Sequence, residues 1–368
     1  MNNELKELAE ISQHFGKDPE YVLAGGGNTS YKNQDYLWIK ASGTSLATIT
    51  EDGFVKMDRH GLNRISEKIY SEIPLKRESE IIKDLFDCVA EKSEKRPSVE
   101  TSLHNLLNFK FVVHTHPTIV NGLLCAQNSS IETRDIFGEE VLLIEYTDPG
   151  YTLFKLVEKR IREYVDRFGR EPQIIFLENH GVFVSANNIE EIKDIYSEIS
   201  ASVGMRIQKT IPSPAILIND LNALKEQLAT EKKMIALSFN SNLISEFTKS
   251  RDAFNQADLA FSPDNIVYCK AHYLFSKPDW KTLLNDLSAF EKQHGYNPKV
   301  IAIENKGIIC LDETANSANT VYNVYLDLLK ISFLSRNFGG PRFMNQNQIE
   351  FIDSWEVENY RRKVSKES

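Results

Sequence analysis

The four cysteines, Cys88, Cys125, Cys269 and Cys310, form no C-x-x-C pair. Thiols scattered in this way give no zinc knuckle and fit a reducing compartment, where disulfides are rare. No apolar run approaches the roughly 18 residues of a membrane span, so no membrane partner is expected. A basic-then-apolar leader is also missing, because Met1-Asn2-Asn3-Glu4-Leu5-Lys6 is polar, and a cytoplasmic location is expected. Basic residues are in deficit, 43 Lys and Arg against 52 Asp and Glu, for a formal charge of −9. That balance argues against a nucleic-acid partner, although an acidic protein can still hold a locally positive pocket for an anionic substrate. The dinucleotide fingerprint G-x-G-x-x-G fails at Gly25-Gly26-Gly27-Asn28-Thr29-Ser30, and no helical pattern follows it.

What remains is ordinary globular composition, 41% hydrophobic and 26% charged, over 368 residues. That length predicts two domains. The spacing predicts helices over 4–15, 58–69, 79–90, 118–126, 151–167 and 188–208. In 79–90, Ile81, Ile82, Leu85, Phe86 and Val89 share the inner face. Strands are predicted at 36–40, 111–116, 141–144, 173–177 and 182–184. The stretch Thr210-Ile211-Pro212-Ser213-Pro214 is the expected boundary, giving domains 1–213 and 214–368.

The centre of the chain is Phe111-Val112-Val113-His114-Thr115-His116-Pro117. Side chains alternate along a strand, so His114 and His116 point the same way and are placed to grip one metal ion. An H-x-H pair on its own also fits the polar face of a strand. His180, in Glu178-Asn179-His180-Gly181, is a third histidine at the same kind of place, a strand beside a glycine turn. Two small hydroxyl-rich turns, Gly27–Ser30 and Ala41-Ser42-Gly43-Thr44-Ser45, resemble anion cradles, but each taken singly is more commonly only a turn. Pro97 and Ser98 mark a helix start with Ser98 as the cap, which puts Glu100 in the first turn and His104 one turn along the same face. For His104 a hydrogen-bonded core histidine is the plainer reading than a ligand.

Beyond the boundary the sequence echoes itself. Phe290–Gly307 repeats the layout of 164–181 at one constant offset, with Gly295, Pro298, Glu304, Asn305 and Gly307 recurring and Lys306 standing where His180 stood. The C-terminal part therefore reads as a degenerate half-copy without metal ligands.

The ordered set Gly-Asn-Thr-Ser (27–30), Ser-Gly (42–43), Pro-Ser-Val-Glu (97–100), His-Thr-His-Pro (114–117) and Glu-Asn-His-Gly (178–181) resembles the class II aldolase/adducin family. Within it, the layout is most similar to the aldolase part of bifunctional rhamnulose-1-phosphate aldolase/dehydrogenase proteins. The resemblance implies an α/β fold, a three-layer α/β/α sandwich with a mostly antiparallel central sheet, plus the smaller C-terminal α/β region. It implies that His114, His116 and His180 bind Zn2+, with Mn2+ or Co2+ as alternatives, and that Glu100 is the catalytic acid/base. It implies that Asn28, Ser42, Gly43, Thr44 and Ser98 hold a phosphate or the reacting oxygens. The expected activity is that of a zinc-dependent lyase. It would cleave a ketose 1-phosphate, such as rhamnulose or fuculose phosphate, to dihydroxyacetone phosphate and an aldehyde through a metal-stabilised enediolate. Epimerase, dehydratase or decarboxylase chemistry at the same site, and a non-enzymatic adducin-like scaffold, are the alternatives. A phosphorylated sugar is the expected partner, and a homo-oligomer, by resemblance a tetramer, the expected assembly. One departure stands out: Val99 occupies the position of a family serine and removes a hydroxyl from the phosphate cradle.

Overall fold

The computed structural model describes residues 2–354 apart from 92, 94, 214–216, 218 and 219. The chain divides into two compact units, Met1–Leu124 with Ser130–Met205, and Cys125–Ser129 with the residues from Arg206 onward. Of the expected boundary at 213/214, Pro214 lies outside the described residues.

In the first unit, seven strands form one sheet: β1 Asn28–Lys32, β2 Tyr36–Lys40, β3 Phe54–Asp58, β4 Phe111–Thr115, β5 Val141–Ile144, β6 Ile174–Leu177 and β7 Gly181–Ala186. Their order is β3-β2-β1-β4-β7-β6-β5. Every pairing is antiparallel except β5 with β6. The two faces of the sheet are read directly from residue parity. Val113, Phe176, Val182 and Val184 pack with Leu8, Ile11, Phe15, Ile192, Tyr196 and Ile199 from the helices Asn2–Gly16 and Ile189–Gly204. Val112, Ile175, Leu177 and Phe183 pack on the opposite face with Leu103, Leu107, Phe154, Val157 and Ile161. These helices sandwich the sheet and form the expected α/β/α layers. Each fully buried aliphatic or aromatic side chain contributes about 1.5–3 kcal/mol of transfer free energy, so both faces are strongly specified.

The second unit holds β8 Ile235–Phe239, β9 Leu274–Ser276, β10 Val300–Ile303 and β11 Gly307–Asp312, in the order β8-β11-β10-β9. β8 and β11 pair antiparallel, as do β11 and β10, while β10 and β9 run parallel. That is the pattern of β4-β7-β6-β5. The helix ends repeat as well: Gly169 and Gly295 are left-handed C-caps at φ 66° and 75°, and Asn188 and Thr314 are side-chain N-caps. Register places Ser238 opposite Ile309 where His114 lies opposite Phe183. The sequence echo is thus a repeated four-stranded topology.

Some local expectations differ. Asn28, Thr29 and Ser30, expected in a turn, instead open β1, a central strand whose five residues are all buried. Phe86, expected on an inner helix face, is 40% exposed, while Ile81 and Leu85 of the helix Pro74–Asp87 carry the contact. The helix after Pro97 starts at Thr101 with Glu100 at the N-cap, and Ser98 caps a turn just before it.

Candidate metal centre and proton-transfer site

Strand parity puts His114 on the same face as Val112, toward the short helix Thr101–Leu106. The His114 ring stacks on Phe183, its partner across the β4–β7 ladder, with centroids 4.1 Å apart and planes 18° apart. Its Nδ1–H donates to the Val182 carbonyl at 2.9 Å, which fixes the tautomer and leaves the Nε2 lone pair outward. His116, just past the strand, is anchored by its backbone N–H to the Tyr21 carbonyl. Its Nε2 lies 3.1 Å from His114 Nε2.

The third histidine arrives on a tight turn. Asn179 takes φ +54° between β6 and β7, and its N–H donates to the Leu124 carbonyl. The Asn121 amide donates to the His180 carbonyl at 3.3 Å. Gly181 is required by space rather than by conformation. A Cβ there would lie 2.5 Å from the Thr115 carbonyl and 2.6 Å from His116 Cδ2. The turn is thereby pressed against β4, bringing His180 to His114 and His116.

Among the described residues, these three histidines are the group whose donor atoms converge as a metal cluster, all within 4.8 Å of one another. Tetrahedral Zn–N bonds of about 2.0–2.1 Å separate two imidazole nitrogens by roughly 3.3 Å. The His114–His116 spacing fits that separation. Three imidazoles with no cysteine suit a catalytic site with an open position.

Glu100 completes the centre. It sits in the bridge region at φ −87°, ψ 7°, and its side chain makes no helix-capping bond. Oε1 lies 3.5 Å from His180 Nε2 and 3.6 Å from His114 Nε2, and Oε2 accepts from the Asn28 amide. Burial pushes the carboxyl up, but the His114 and His180 rings and the Asn28 amide outweigh it and hold the group well below the ordinary range. Burial drives the His114 ring well below its usual value, against the opposing pull of the Glu100 carboxylate.

The remaining expected residues converge through backbone contacts. Asn28 opens β1 directly opposite His114 in the ladder, and its amide lies 3.5 Å from Ser98 Oγ. Ser98 Oγ in turn accepts from the Glu100 N–H at 3.2 Å. The Ser42 N–H donates to the Arg96 carbonyl, and Ala41 bridges Pro97, which sets the 42–44 turn beside Ser98. Gly43 makes that turn at φ +84°. Two contributors escaped the sequence reading. Lys40, 4% exposed, donates to the Gly25 and Gly27 carbonyls at 3.3 and 3.0 Å and braces the glycine turn. The hydroxyl of Tyr196, two turns into a helix, donates to the Val113 carbonyl at 3.1 Å. An Ile-Lys-Ala-Ser strand end gives only the weak signal of a lysine in an apolar run; Tyr196 gives none.

Residues 6–207 match the family described as the Class II Aldolase and Adducin N-terminal domain. An uncharacterized oxidoreductase, YuxG of Bacillus subtilis (strain 168), is 26% identical over 310 residues, 77% of this chain and 43% of the relative. The chain thus spans less than half the length of that protein. L-fuculose phosphate aldolase of Methanocaldococcus jannaschii is 25% identical over 174 residues, 45% of this chain and 75% of the relative. Among solved structures, the N-terminal class II aldolase domain of a conserved protein from Thermoplasma acidophilum aligns with 28% identity and a TM-score of 0.46. That alignment covers 54% of this chain and 91% of that one. With the family matched over more than half its length, the chain belongs to the class II aldolase and adducin N-terminal domain family.

Proposed function

We propose that the chain is a divalent-metal-dependent aldolase-type lyase acting on a ketose 1-phosphate, with residues 1–213 as the catalytic part and 214–368 in support. The reading rests above all on one observation: the Glu100 carboxylate lies 3.5 and 3.6 Å from two of three converging histidine nitrogens. His114, His116 and His180 would hold the ion. When bound, a divalent ion, zinc by donor type or else manganese or cobalt, supplies Lewis-acid stabilisation of the negative charge that develops when a bond beside a carbonyl breaks.

The protein groups supply the rest. Glu100, facing the centre through Oε1, takes the proton of the hydroxyl on the carbon that becomes the aldehyde. It passes that proton to the carbon next to the carbonyl once the bond between the two carbons has broken, and the same transfer runs in reverse in the synthetic direction. Asn28, Ser98 and the Ser42-Gly43-Thr44 turn orient the substrate and hold its anionic end. Val99 leaves that cradle one hydroxyl short and shifts the burden to backbone N–H groups. The apolar wall formed by Phe183 keeps water from the buried side of His114. A cytoplasmic homo-oligomer, a tetramer by analogy with the family, belongs to the same reading. Among the described residues no helix is long and apolar enough to cross a membrane.

The test is to incubate the zinc-loaded protein with a panel of ketose 1-phosphates and identify products by mass spectrometry. Dihydroxyacetone phosphate together with an aldehyde supports the proposal. An epimerised, dehydrated or decarboxylated product from the panel extended to 3-keto acids overturns the lyase assignment while keeping the centre.

A further inference from the structure

Three buried groups stand in line behind the proton-transfer carboxylate. Ser30 Oγ lies 2.8 Å from His104 Nδ1, His104 Nε2 contacts Asn28 Oδ1, and Asn28 Nδ2 contacts Glu100 Oε2. Ser30 and His104 are fully buried and Asn28 nearly so. The Phe183 ring meets His104 edge-on with centroids 5.3 Å apart, closing that side. None of these contacts involves a metal-binding histidine nitrogen.

The hydrogen positions along the line follow from the Asn28 amide, whose nitrogen faces Glu100 Oε2 and donates to it and whose oxygen faces His104 and accepts. The His104 Nε2 must then carry a hydrogen. Burial pushes the ring down to about 3, so it is neutral at ordinary pH and carries one hydrogen only. Nδ1 is therefore an acceptor, and the Ser30 hydroxyl must donate. Every bond points the same way, from Ser30 through His104 and Asn28 to Glu100.

We propose that His104 is a positioning residue for proton transfer at Glu100. By locking the Asn28 amide it commits Oε2 to accepting a hydrogen bond and leaves Oε1 as the oxygen that takes and passes on the proton. An unlocked asparagine rotates its amide, offers its oxygen to a protonated Oε2, and lets the proton settle on the atom facing away from the substrate. With His104 in place, the amide oxygen is already engaged. The inference rests on Glu100 as the acid/base of the proposed lyase.

Two measurements on the zinc-loaded full chain test it. Nitrogen-15 NMR of the histidine side chains reads the tautomer without any reaction. A neutral His104 with hydrogen on Nε2 is expected, and hydrogen on Nδ1 or a doubly protonated ring at pH 7 overturns the line of bonds. Kinetics then read its consequence in His104→Leu and His104→Gln. The leucine variant is expected to lose about 10²-fold in kcat, with KM and zinc content unchanged. Glutamine, which both donates and accepts, is expected to recover kcat to within about tenfold of the wild type. A folded, zinc-loaded leucine variant with wild-type kcat overturns the proposal. So does a joint loss of zinc, KM and kcat in both variants. If the wild-type chain cleaves no ketose 1-phosphate, the lyase reading falls, while the ring tautomer still decides the hydrogen-bond line.

Discussion

The Nε2 atoms of His114 and His116 face each other across 3.1 Å, with His114 Nδ1 already committed to a carbonyl. Two imidazole lone pairs so aligned favour a shared cation. The protein should bind about one zinc ion per chain at neutral pH. His180→Ala should lower that affinity by orders of magnitude, as read by elemental analysis and competition with a chelator. Removing the ion should leave the fold intact by circular dichroism, because the core of the first unit is built from apolar packing on both sheet faces.

Glu100→Gln keeps the shape and the Asn28 contact but cannot carry the proton. Zinc stoichiometry should be retained, while turnover should fall by about 10²–10⁴-fold. Unchanged turnover removes Glu100 from the reaction.

Gly181 and Gly307 make a matched pair. A Cβ at 181 meets the Thr115 carbonyl at 2.5 Å, and one at 307 meets the Phe239 carbonyl at 2.4 Å on a backbone already at φ +131°. Either glycine-to-alanine change should destabilise its own sheet by roughly 3 kcal/mol. Only Gly181→Ala should also weaken zinc binding, since only that turn carries a histidine. Thermal unfolding alongside zinc titration separates the two effects.

His104 should make stability fall with acid. Its folded pKa, about 3, lies below the ordinary 6.5. As pH drops from 6.5 toward 3 the unfolded chain takes a proton that the folded chain refuses, and stability is lost across that window. The full loss is on the order of 5 kcal/mol, and nothing is lost above pH 6.5. In urea unfolding of the zinc-loaded protein, His104→Gln should show a shallower decline between pH 6.5 and 5 than the wild type.

How legible this was in the sequence depended on which signal each residue sends. His114 and His116 announce themselves by strand parity, and Glu178–Gly181 by a glycine turn at a strand end. β1 sends no such signal. Thr29 meets Ser12, Ser30 meets His104, and Lys32 donates to the Leu107 and Phe109 carbonyls, so a buried central strand carries polar residues at successive positions. Hydrophobic alternation cannot find a strand whose partners are polar side chains from distant segments. Phe86 fails in the opposite direction: helical spacing put an aromatic on the inner face, but Ile81 and Leu85 already fill the contact and the ring stays at the surface. Lys40 and Tyr196 act through backbone carbonyls, and no pattern in one sequence marks a carbonyl as worth bracing.

The turn that presents His180 exists twice, with Asn179 at φ +54° and Asn305 at φ +57°. Each asparagine N–H reaches back to the helix following the paired strand, at Leu124 and at Thr248. The second copy holds Lys306, paired with Asp220 at 2.9 Å, at the position of His180. The chain therefore carries its own reference state. Amide exchange at Asn305 and Lys306 reports how readily such a turn opens on its own. The difference at Asn179 and His180, with and without zinc, isolates what the ion adds to the same piece of backbone in the same tube.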